Sequence, residues 1–325
     1  MNPQWKHQLD AIPFGSVASR SRVFHSAQLR AHARASSSRR HAVMPAIPVM
    51  PVMPVVPIVP IAKRTVVFIL SERQSGSTWL SYVLGSHASA SHLGEYRRPF
   101  TMPGHVACRL CEARSQPCPI FHDIHSIPLE RAFDYAFERL GSNCLIDCSK
   151  QLSWISRFAL GENGVPRENN FDLKVVHLLR DPRGWFASQL RRSPLAAVDA
   201  IATWQNTNRQ IAHFIQQYRL RALRVLYDDL TGRPADAFPR LCDFLGFDFQ
   251  PAALHYWNKE HHGLGGNGAA FSLLGSLPQA KVTTGDDAFY QQQSQQMFCD
   301  DRWRSELQSS DADFLGQDHW LAEFL

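Results

Sequence analysis

Residues 65–80 read TVVFILSERQSGSTWL, and this stretch decides the fold class. Thr65–Leu70 is a short apolar run rich in β-branched residues, which is typical of a buried strand. The apolar pattern stops at SERQSGST and resumes as a helical pattern in Thr78–Gly85. A strand, a Ser- and Gly-rich turn and a helix thus follow one another. This order directs backbone N–H groups and the helix dipole at an anion.

The same alternation continues along the chain. Further buried strands are predicted at Cys144–Asp147, Leu173–Leu179 and Ala222–Leu226. Helical patterns include Ala197–Tyr218 and Ala235–Leu245, and Gly246 caps the second of these at its carboxyl end. Strands that alternate with helices predict an α/β domain with a mainly parallel central sheet.

Composition excludes several classes of protein. Of the 325 residues, 44% are hydrophobic and 19% are charged, which excludes a wholly disordered chain. The net charge of +5 comes from the amino-terminal 44 residues, which hold seven basic residues and one acidic residue. The rest of the chain is close to neutral, so we expect no nucleic-acid partner. Seven cysteines are too few, and odd in number, for a disulfide scaffold.

The amino-terminal region is predicted to lie outside the folded domain. Residues 1–41 are rich in Ser, Ala, Arg and His, as in an organellar transit peptide or a disordered leader, and both interpretations stay open. Residues 42–62 are uncharged, but a proline at every third position excludes a membrane helix and favours a polyproline II linker. We therefore predict a leader and linker over 1–62 and one domain over 63–325. With no secretory signal or membrane anchor, a cytoplasmic protein is expected.

The turn after the first strand has the properties of a phosphate-binding loop. Gly76 permits a close approach of the backbone, while Ser77 and Thr78 can cap the helix and donate hydroxyl hydrogens. An ordinary turn with a Ser/Thr cap is the alternative. The turn is not a Walker A loop, because no Gly-Lys-Ser/Thr stands at the required spacing. The absence of a Walker A loop at this turn weighs against a kinase that uses ATP or GTP.

Gln74–Leu80 (QSGSTWL) resembles the 5′-phosphosulfate loop of the sulfotransferases that use 3′-phosphoadenylyl sulfate (PAPS). Those enzymes carry Lys or Arg where this chain has Gln74, and here Arg73 stands one residue earlier. The resemblance implies a three-layer α/β/α fold like that of P-loop NTPases. It also implies that PAPS contacts the loop residues Arg73, Gln74, Ser75, Gly76, Ser77, Thr78 and Trp79.

Leu173–Ser188 (LKVVHLLRDPRGWFAS) resembles the 3′-phosphate segment of the same family. Asp181 can cap a helix that has Pro182 at its first position, which leaves Arg180 at the carboxyl end of a strand. The resemblance implies that Arg180, Ser188 and Arg192 bind the 3′-phosphate, for which arginine offers bidentate hydrogen bonds. A salt bridge at the helix start is the alternative role of Arg180.

Three weaker likenesses follow in the family's order, so that the resemblance covers about residues 63–310. They are Asp147–Lys150, Val225–Leu230 and His261–Asn267. The resemblance implies that Tyr227, Gly266 and Asn267 also contact PAPS. One departure is that Ala269 and Ala270 stand where the family has an arginine.

Sulfuryl transfer needs in-line placement, stabilisation of charge and a base for a hydroxyl acceptor. The carbohydrate and tyrosyl-protein branches place a glutamate shortly after the loop helix, and the resemblance to them implies that Glu95 is the base. A surface carboxylate paired with a neighbouring arginine is the alternative, and the base could instead be His87, His92 or His125. Lys150 is the second predicted catalytic residue, because it matches a catalytic lysine of the tyrosyl-protein branch.

Cys108, Cys111 and Cys118 form a cluster in the sequence, and His105, His122 and His125 lie nearby. Three thiols and an imidazole could hold a structural zinc ion. The spacing is not that of a standard zinc finger, so plain thiols or a disulfide are preferred here over zinc.

The leading hypothesis is an enzyme that transfers the sulfonate group of PAPS to a hydroxyl or amine. The acceptor is expected to be a small molecule, a carbohydrate or a peptide, and residues 96–145 and 247–300 are expected to shape its pocket. A nucleotide-binding homologue with impaired catalysis and a P-loop-type kinase are the alternatives.

Overall fold

The computed structural model describes residues 63–102, 106–161, 164–275 and 285–325. The predictions for the leader and the proline-rich linker, residues 1–62, lie outside the described residues. Within the described ranges, no helix combines the length and the apolar character that crossing a bilayer requires.

Five strands form one sheet in this part of the chain: β1 (Thr65–Leu70), β2 (Ala90–Gly94), β3 (Cys144–Asp147), β4 (Asp172–Leu179) and β5 (Ala222–Leu226). Their order across the sheet is β2-β3-β1-β4-β5. Every neighbouring pair is parallel. The predicted three-layer α/β fold with a parallel sheet is confirmed.

Strand β2 is absent from the sequence prediction. Apart from Leu93, its residues, ASHLG, are small or polar, so they show neither an apolar run nor the alternation of a half-buried strand. All five are nevertheless buried, and β2 pairs with β3 at the edge of the sheet. Tertiary packing, which the local sequence does not report, determines this strand.

Helices connect and cover the strands. The α-helices are α1 (Ser77–Gly85), α2 (Arg98–Thr101), α3 (Arg109–Ala113), α4 (Ala132–Leu140), α5 (Leu152–Ala159), α6 (Pro182–Leu190), α7 (Ala197–Gln217), α8 (Tyr227–Gly232), α9 (Pro234–Leu245), α10 (Gly285–Gln292), α11 (Trp303–Glu306), α12 (Ser309–Leu315) and α13 (His319–Ala322). Short 3₁₀ turns are Ile124–Ser126, Leu129–Arg131, Pro251–Leu254, Tyr256–Asn258 and Ala269–Leu274.

The predicted helix ends are formed by the expected side chains. The carboxylate of Asp181 accepts a hydrogen bond of 2.8 Å from the backbone N–H of Arg183, and Pro182 is the first residue of α6. Helix α9 ends at Gly246, whose φ of 89° lies in the left-handed region. Both helix ends thus follow from residues that the sequence had identified.

The central sheet is covered on both faces. Successive side chains of a strand point to opposite faces. On β4, Leu178 belongs to the larger apolar cluster, whereas Leu179 packs in a smaller cluster with Trp204 of α7 and Phe324. His177 is fully buried beside Asn208. Burial lowers the pKa of His177 to about 4.

Candidate active site

All five parallel strands end at the same edge of the sheet, where ligands of α/β proteins bind. Each strand is followed there by a residue that the sequence had identified. The loop Arg73–Trp79 follows β1, Glu95 follows β2, Lys150 lies three residues beyond β3, Arg180 follows β4 and Tyr227 follows β5. The topology therefore brings together residues that are up to about 150 positions apart in the sequence.

The loop between β1 and α1 requires glycine at position 76. Gly76 has a φ of 91°, and a Cβ atom there would lie 2.5 Å from the ring of Tyr227. Trp79, one turn along α1, packs edge-on against the same ring at 5.4 Å between centroids. Ser75, Ser77 and Thr78 are buried. The loop is thus packed tightly around the start of α1, which has a positive dipole end.

The two residues before Ser75 differ from each other in their placement. The side chain of Arg73 is exposed, and its carbonyl accepts a hydrogen bond from Trp185. Gln74 has a φ of 58°, and its carbonyl accepts a 2.9 Å bond from Arg180. Within the described ranges, the buried Oε1 of Gln74 has no hydrogen-bond partner.

Arg180 is buried at the centre of this edge. Its guanidinium lies over the ring of Tyr227, at 4.8 Å from the centroid. Its Nη2 donates to the carboxylate of Asp300 at 3.1 Å. Its Nε has no hydrogen-bond partner among the described residues. Ser188, two turns along α6, is also buried. Arg180 therefore forms a salt bridge, as in the alternative interpretation, but its partner comes from the carboxyl-terminal region.

Asp300 belongs to a network of charges that the sequence did not reveal. Arg302 donates to both carboxylate oxygens of Asp300, and Nη2 of Arg191 lies 3.6 Å from one of them. Burial raises the pKa of Asp300, but the arginines outweigh it and hold this pKa at about 2. Arg192, which was predicted to bind phosphate, is exposed and its Nη2 lies 3.4 Å from Asp286.

Glu95 and Lys150, the two predicted catalytic residues, are in contact. Nζ of Lys150 donates to one carboxylate oxygen of Glu95 at 3.1 Å, and Nε of Arg98 donates to the other at 2.8 Å. Burial raises the pKa of the Glu95 carboxyl, but Lys150 and Arg98 outweigh burial and hold this pKa below its ordinary value. The carboxylate is thus ionised at neutral pH, beside two cations.

A buried aspartate shapes the turn that presents Lys150. Asp147, the last residue of β3, accepts hydrogen bonds from the backbone N–H of Ser149 at 2.7 Å and from Nε1 of Trp154 at 2.6 Å. Burial raises the pKa of Asp147 to about 6. Lys150 follows with a φ of 64°, and the turn directs its side chain toward Glu95.

The segment Leu264–Asn267 joins this carboxylate to the loop after β1. Glu95 donates its backbone N–H to the carbonyl of Leu264 at 2.7 Å, and Leu264 donates to Leu93 at 2.9 Å. Three residues later, the N–H of Asn267 donates to Oγ1 of Thr78 at 3.2 Å. The predicted Gly266 and Asn267 therefore lie beside the loop.

A sequence model described as the sulfotransferase family matches residues 172–251, which contain Arg180, Ser188, Arg192 and Tyr227. Over this segment the chain is similar to the sulfotransferase family. The match does not distinguish its branches, and a search of curated proteins finds no match.

One solved sulfotransferase domain shares the fold, and a second is similar at a lower TM-score. The domain from the curacin biosynthetic pathway covers 78% of this chain and 98% of its own length, with 20% identity and a TM-score of 0.52. The domain from the olefin synthase of Synechococcus PCC 7002 covers 79% of this chain and 95% of its own length, with 22% identity and a TM-score of 0.44. Family and fold together support a transferase that moves a sulfonate group.

The histidines named as alternative bases have contacts of their own. His92 is buried, hydrogen-bonds Ser81 at 2.6 Å, and burial lowers its pKa well below the usual value. His87 stacks on Phe247, and its Nε2 lies 3.1 Å from the carbonyl of Asp248. His125 accepts a hydrogen bond from Val106. None of these contacts involves Glu95 or the loop after β1.

The cysteine cluster gains a fourth member that sequence spacing did not identify. The side chains of Cys108, Cys111, Cys118 and His262 place their potential ligand atoms within 4.8 Å of one another. The three cysteines are free thiols. His105, one of the predicted neighbours, lies outside the described residues. His262 is 144 positions beyond Cys118, so only the folded chain reveals it.

Proposed function

We propose that this chain is a sulfotransferase that moves the sulfonate group of PAPS to a hydroxyl or amine acceptor. The observation that carries the proposal is the convergence at one sheet edge of the loop after β1, the buried Arg180 and the Glu95–Lys150 pair. Each component matches one chemical demand of the reaction.

The 5′-phosphosulfate and the 3′-phosphate of the nucleotide would bind to different residues of the site. The 5′-phosphosulfate would lie on the loop after β1, where the helix dipole and the Ser and Thr side chains favour an anion. The 3′-phosphate would meet Arg180, which keeps a buried Nε donor without a partner among the described residues. Arginine provides bidentate hydrogen bonds to a phosphate. Ser188 on α6 would add a hydroxyl donor.

In the transfer, the acceptor oxygen attacks the sulfonate sulfur, while the bond from sulfur to the bridging phosphate oxygen breaks. The electron pair of that bond stays on the phosphate, and the products are the sulfated acceptor and 3′,5′-adenosine bisphosphate. The acceptor's proton passes to the Glu95 carboxylate, which is ionised at neutral pH.

Lys150 would stabilise charge on the sulfonate or bridging oxygen. It already lies 3.1 Å from Glu95, so base and cation are placed together. The neutral Gln74 and the exposed Arg73 leave the loop itself with less positive charge than the family pattern has. Lys150 therefore has a larger share of the electrostatic stabilisation.

A second candidate is a family member that binds the nucleotide but transfers sulfonate slowly. The pairing of Asp300 with Arg180 favours it, because a carboxylate competes with a phosphate for the same guanidinium. We also propose that the acceptor is a small molecule, a carbohydrate or a peptide, as in the carbohydrate and tyrosyl-protein branches, and that the chain is cytoplasmic.

The test is incubation of the purified chain with PAPS and a panel of hydroxyl and amine acceptors. We expect formation of 3′,5′-adenosine bisphosphate that depends on the acceptor, with a mass gain of one sulfonate on that acceptor. Binding of the bisphosphate without turnover would support the impaired homologue. Failure to bind either nucleotide would contradict the whole proposal.

A further inference from the structure

The cysteine cluster has a geometry that hydrogen bonding does not explain. Nδ1 of His262 lies 3.7 Å from Sγ of Cys108, 3.4 Å from Sγ of Cys111 and 3.6 Å from Sγ of Cys118. A ring nitrogen offers either one proton or one lone pair. It cannot make three hydrogen bonds at once. Three thiols around one nitrogen therefore point to a common centre between them.

We propose that Cys108, Cys111, Cys118 and His262 bind one structural zinc ion. Zinc bonds of about 2.3 Å to sulfur and about 2.0–2.1 Å to nitrogen, in a tetrahedron, put sulfur and nitrogen about 3.5 Å apart. The three observed separations agree with this value. A set of three thiolates and one imidazole is a common donor set for structural zinc.

The surroundings of the cluster support its thiolates and its imidazole. The backbone N–H of Phe121 donates to Sγ of Cys118 at 3.3 Å. The other nitrogen of His262, Nε2, faces a carboxylate oxygen of Glu260 at 4.0 Å, and Arg114 pairs with that carboxylate. A carboxylate on this side of the ring favours the tautomer with its proton on Nε2, which leaves Nδ1 free to bind a metal.

The site is structural because all four positions of the tetrahedron are taken by protein atoms. A catalytic zinc ion keeps one position for water or substrate. Cys108 and Cys111 are buried, and Cys118 and His262 are half-buried. A disulfide between two of the thiols would leave the third thiol and the imidazole without a role, which is why zinc accounts better for the complete set.

The ion would fasten two distant parts of the chain to each other. Cys108 lies at the start of α3, whereas His262 lies two residues before Leu264. Cys108 and Leu264 form an antiparallel bridge, and Leu264 pairs with Gly94 at the end of β2. Zinc would therefore hold the segment Leu264–Asn267 against the strand that precedes Glu95.

The first test is the metal content of the full chain purified from medium supplemented with zinc. We expect elemental mass spectrometry to find about one zinc ion per chain. The variants Cys111→Ser and His262→Gln should lose this zinc. Cys299→Ser removes an exposed thiol outside the cluster and should retain the zinc. The proposal would be overturned by a folded chain that contains no zinc, by a chain that contains about one iron ion in place of zinc, or by a disulfide within the cluster.

A second measurement avoids dependence on variants that fail to fold. Wild-type protein is stripped of metal by a chelator and titrated with Co²⁺. We expect thiolate-to-cobalt charge-transfer absorption and the intense visible bands of a tetrahedral ion, with saturation at about one equivalent. Weak bands typical of octahedral cobalt, or none, would show that the thiols do not form the site.

Hydrogen exchange locates the effect of the metal on the chain. Chelation should speed exchange of the amides of Glu95 and Leu264, which hydrogen-bond across the fastened segments. Peptides covering β5 serve as the control and should be unchanged. Equal acceleration over both regions, or no acceleration at Glu95 and Leu264, would contradict the fastening role. These measurements need no nucleotide, so their outcome is independent of the proposed function.

Discussion

Glu95 is subject to two opposing influences. Burial favours its protonated form, whereas Lys150 and Arg98, each within hydrogen-bond distance, favour the carboxylate. The cations prevail, so the pKa of Glu95 lies below its ordinary value of 4.5. A base of this kind is available at every pH near neutrality, although its low pKa makes it weaker than a histidine.

Replacing Glu95 by glutamine tests the assigned base. Glu95→Gln keeps the side chain's shape and removes its basicity, so turnover should fall by about 10²–10⁴-fold while the affinity for PAPS stays nearly constant. Glu168→Gln, at an exposed glutamate on another part of the chain, should leave turnover unchanged. A parallel loss of affinity would instead indicate that Glu95 positions Lys150 or Arg98.

The pH profile of the wild type separates glutamate from histidine as the base. The base must be unprotonated, and the pKa of Glu95 lies below 4.5, so the rate should fall only below that pH and stay level between pH 5 and 8. A fall in rate with a midpoint between pH 6 and 7 would assign the base to a histidine, whose unperturbed pKa is about 6.5.

In the segment before α11, the carboxylate of Asp300 contacts Arg180, the residue that is proposed to bind the 3′-phosphate. Asp300→Asn removes this competing charge and leaves Arg180, Arg191 and Arg302 available to an anion. We expect affinity for 3′,5′-adenosine bisphosphate to rise by at least about tenfold, or 1.4 kcal/mol. The thermal midpoint should fall, because the buried arginines lose their partner.

Asp301→Asn is the matched control for this effect. Asp301 is the exposed neighbour of Asp300, and its substitution should change neither affinity nor stability. Calorimetric titration of both variants gives the comparison. Weaker binding in Asp300→Asn would show that Asp300 orients Arg180 for the nucleotide and does not compete with it.

Elements with a strong local pattern could be predicted from the sequence, and elements fixed by distant contacts could not. The apolar runs in the sequence predicted β1, β3, β4 and β5 with ends very close to those in the structure. Strand β2 lacks such a run, and its burial comes from its pairing with β3. Helices α6 and α9 were predictable because Asp181, Pro182 and Gly246 act locally.

The same distinction applies to the site. Phosphate-loop and strand-end residues lie in short motifs, so their sequence neighbours identify them. Asp300 and His262 lack such neighbours, since their partners Arg180 and Cys118 are 120 and 144 positions away. Sequence spacing therefore directed attention to His122 and His125, which do not belong to the cluster of described residues, and to His105, which lies outside the described residues.

For the molecule as a whole, parallel topology is what makes a single site from scattered motifs. Because the five strands run in the same direction, the five chain segments that follow them lie at one edge of the sheet. The solved sulfotransferase domain from the curacin biosynthetic pathway, at 20% identity, shares the fold alone. The chemistry therefore depends on this chain's own residues, and above all on whether Arg180 at this edge binds a 3′-phosphate.

Calorimetric titration with 3′,5′-adenosine bisphosphate and with 5′-AMP, on wild type and Arg180→Ala, tests that claim most directly. Arg157→Ala, at an exposed arginine of α5, is the control and should bind as the wild type does. We predict that Arg180→Ala weakens the bisphosphate by about 2–5 kcal/mol, because the guanidinium is desolvated, and weakens 5′-AMP far less. Equal losses for the two nucleotides would mean that Arg180 only supports the fold, and would contradict the account.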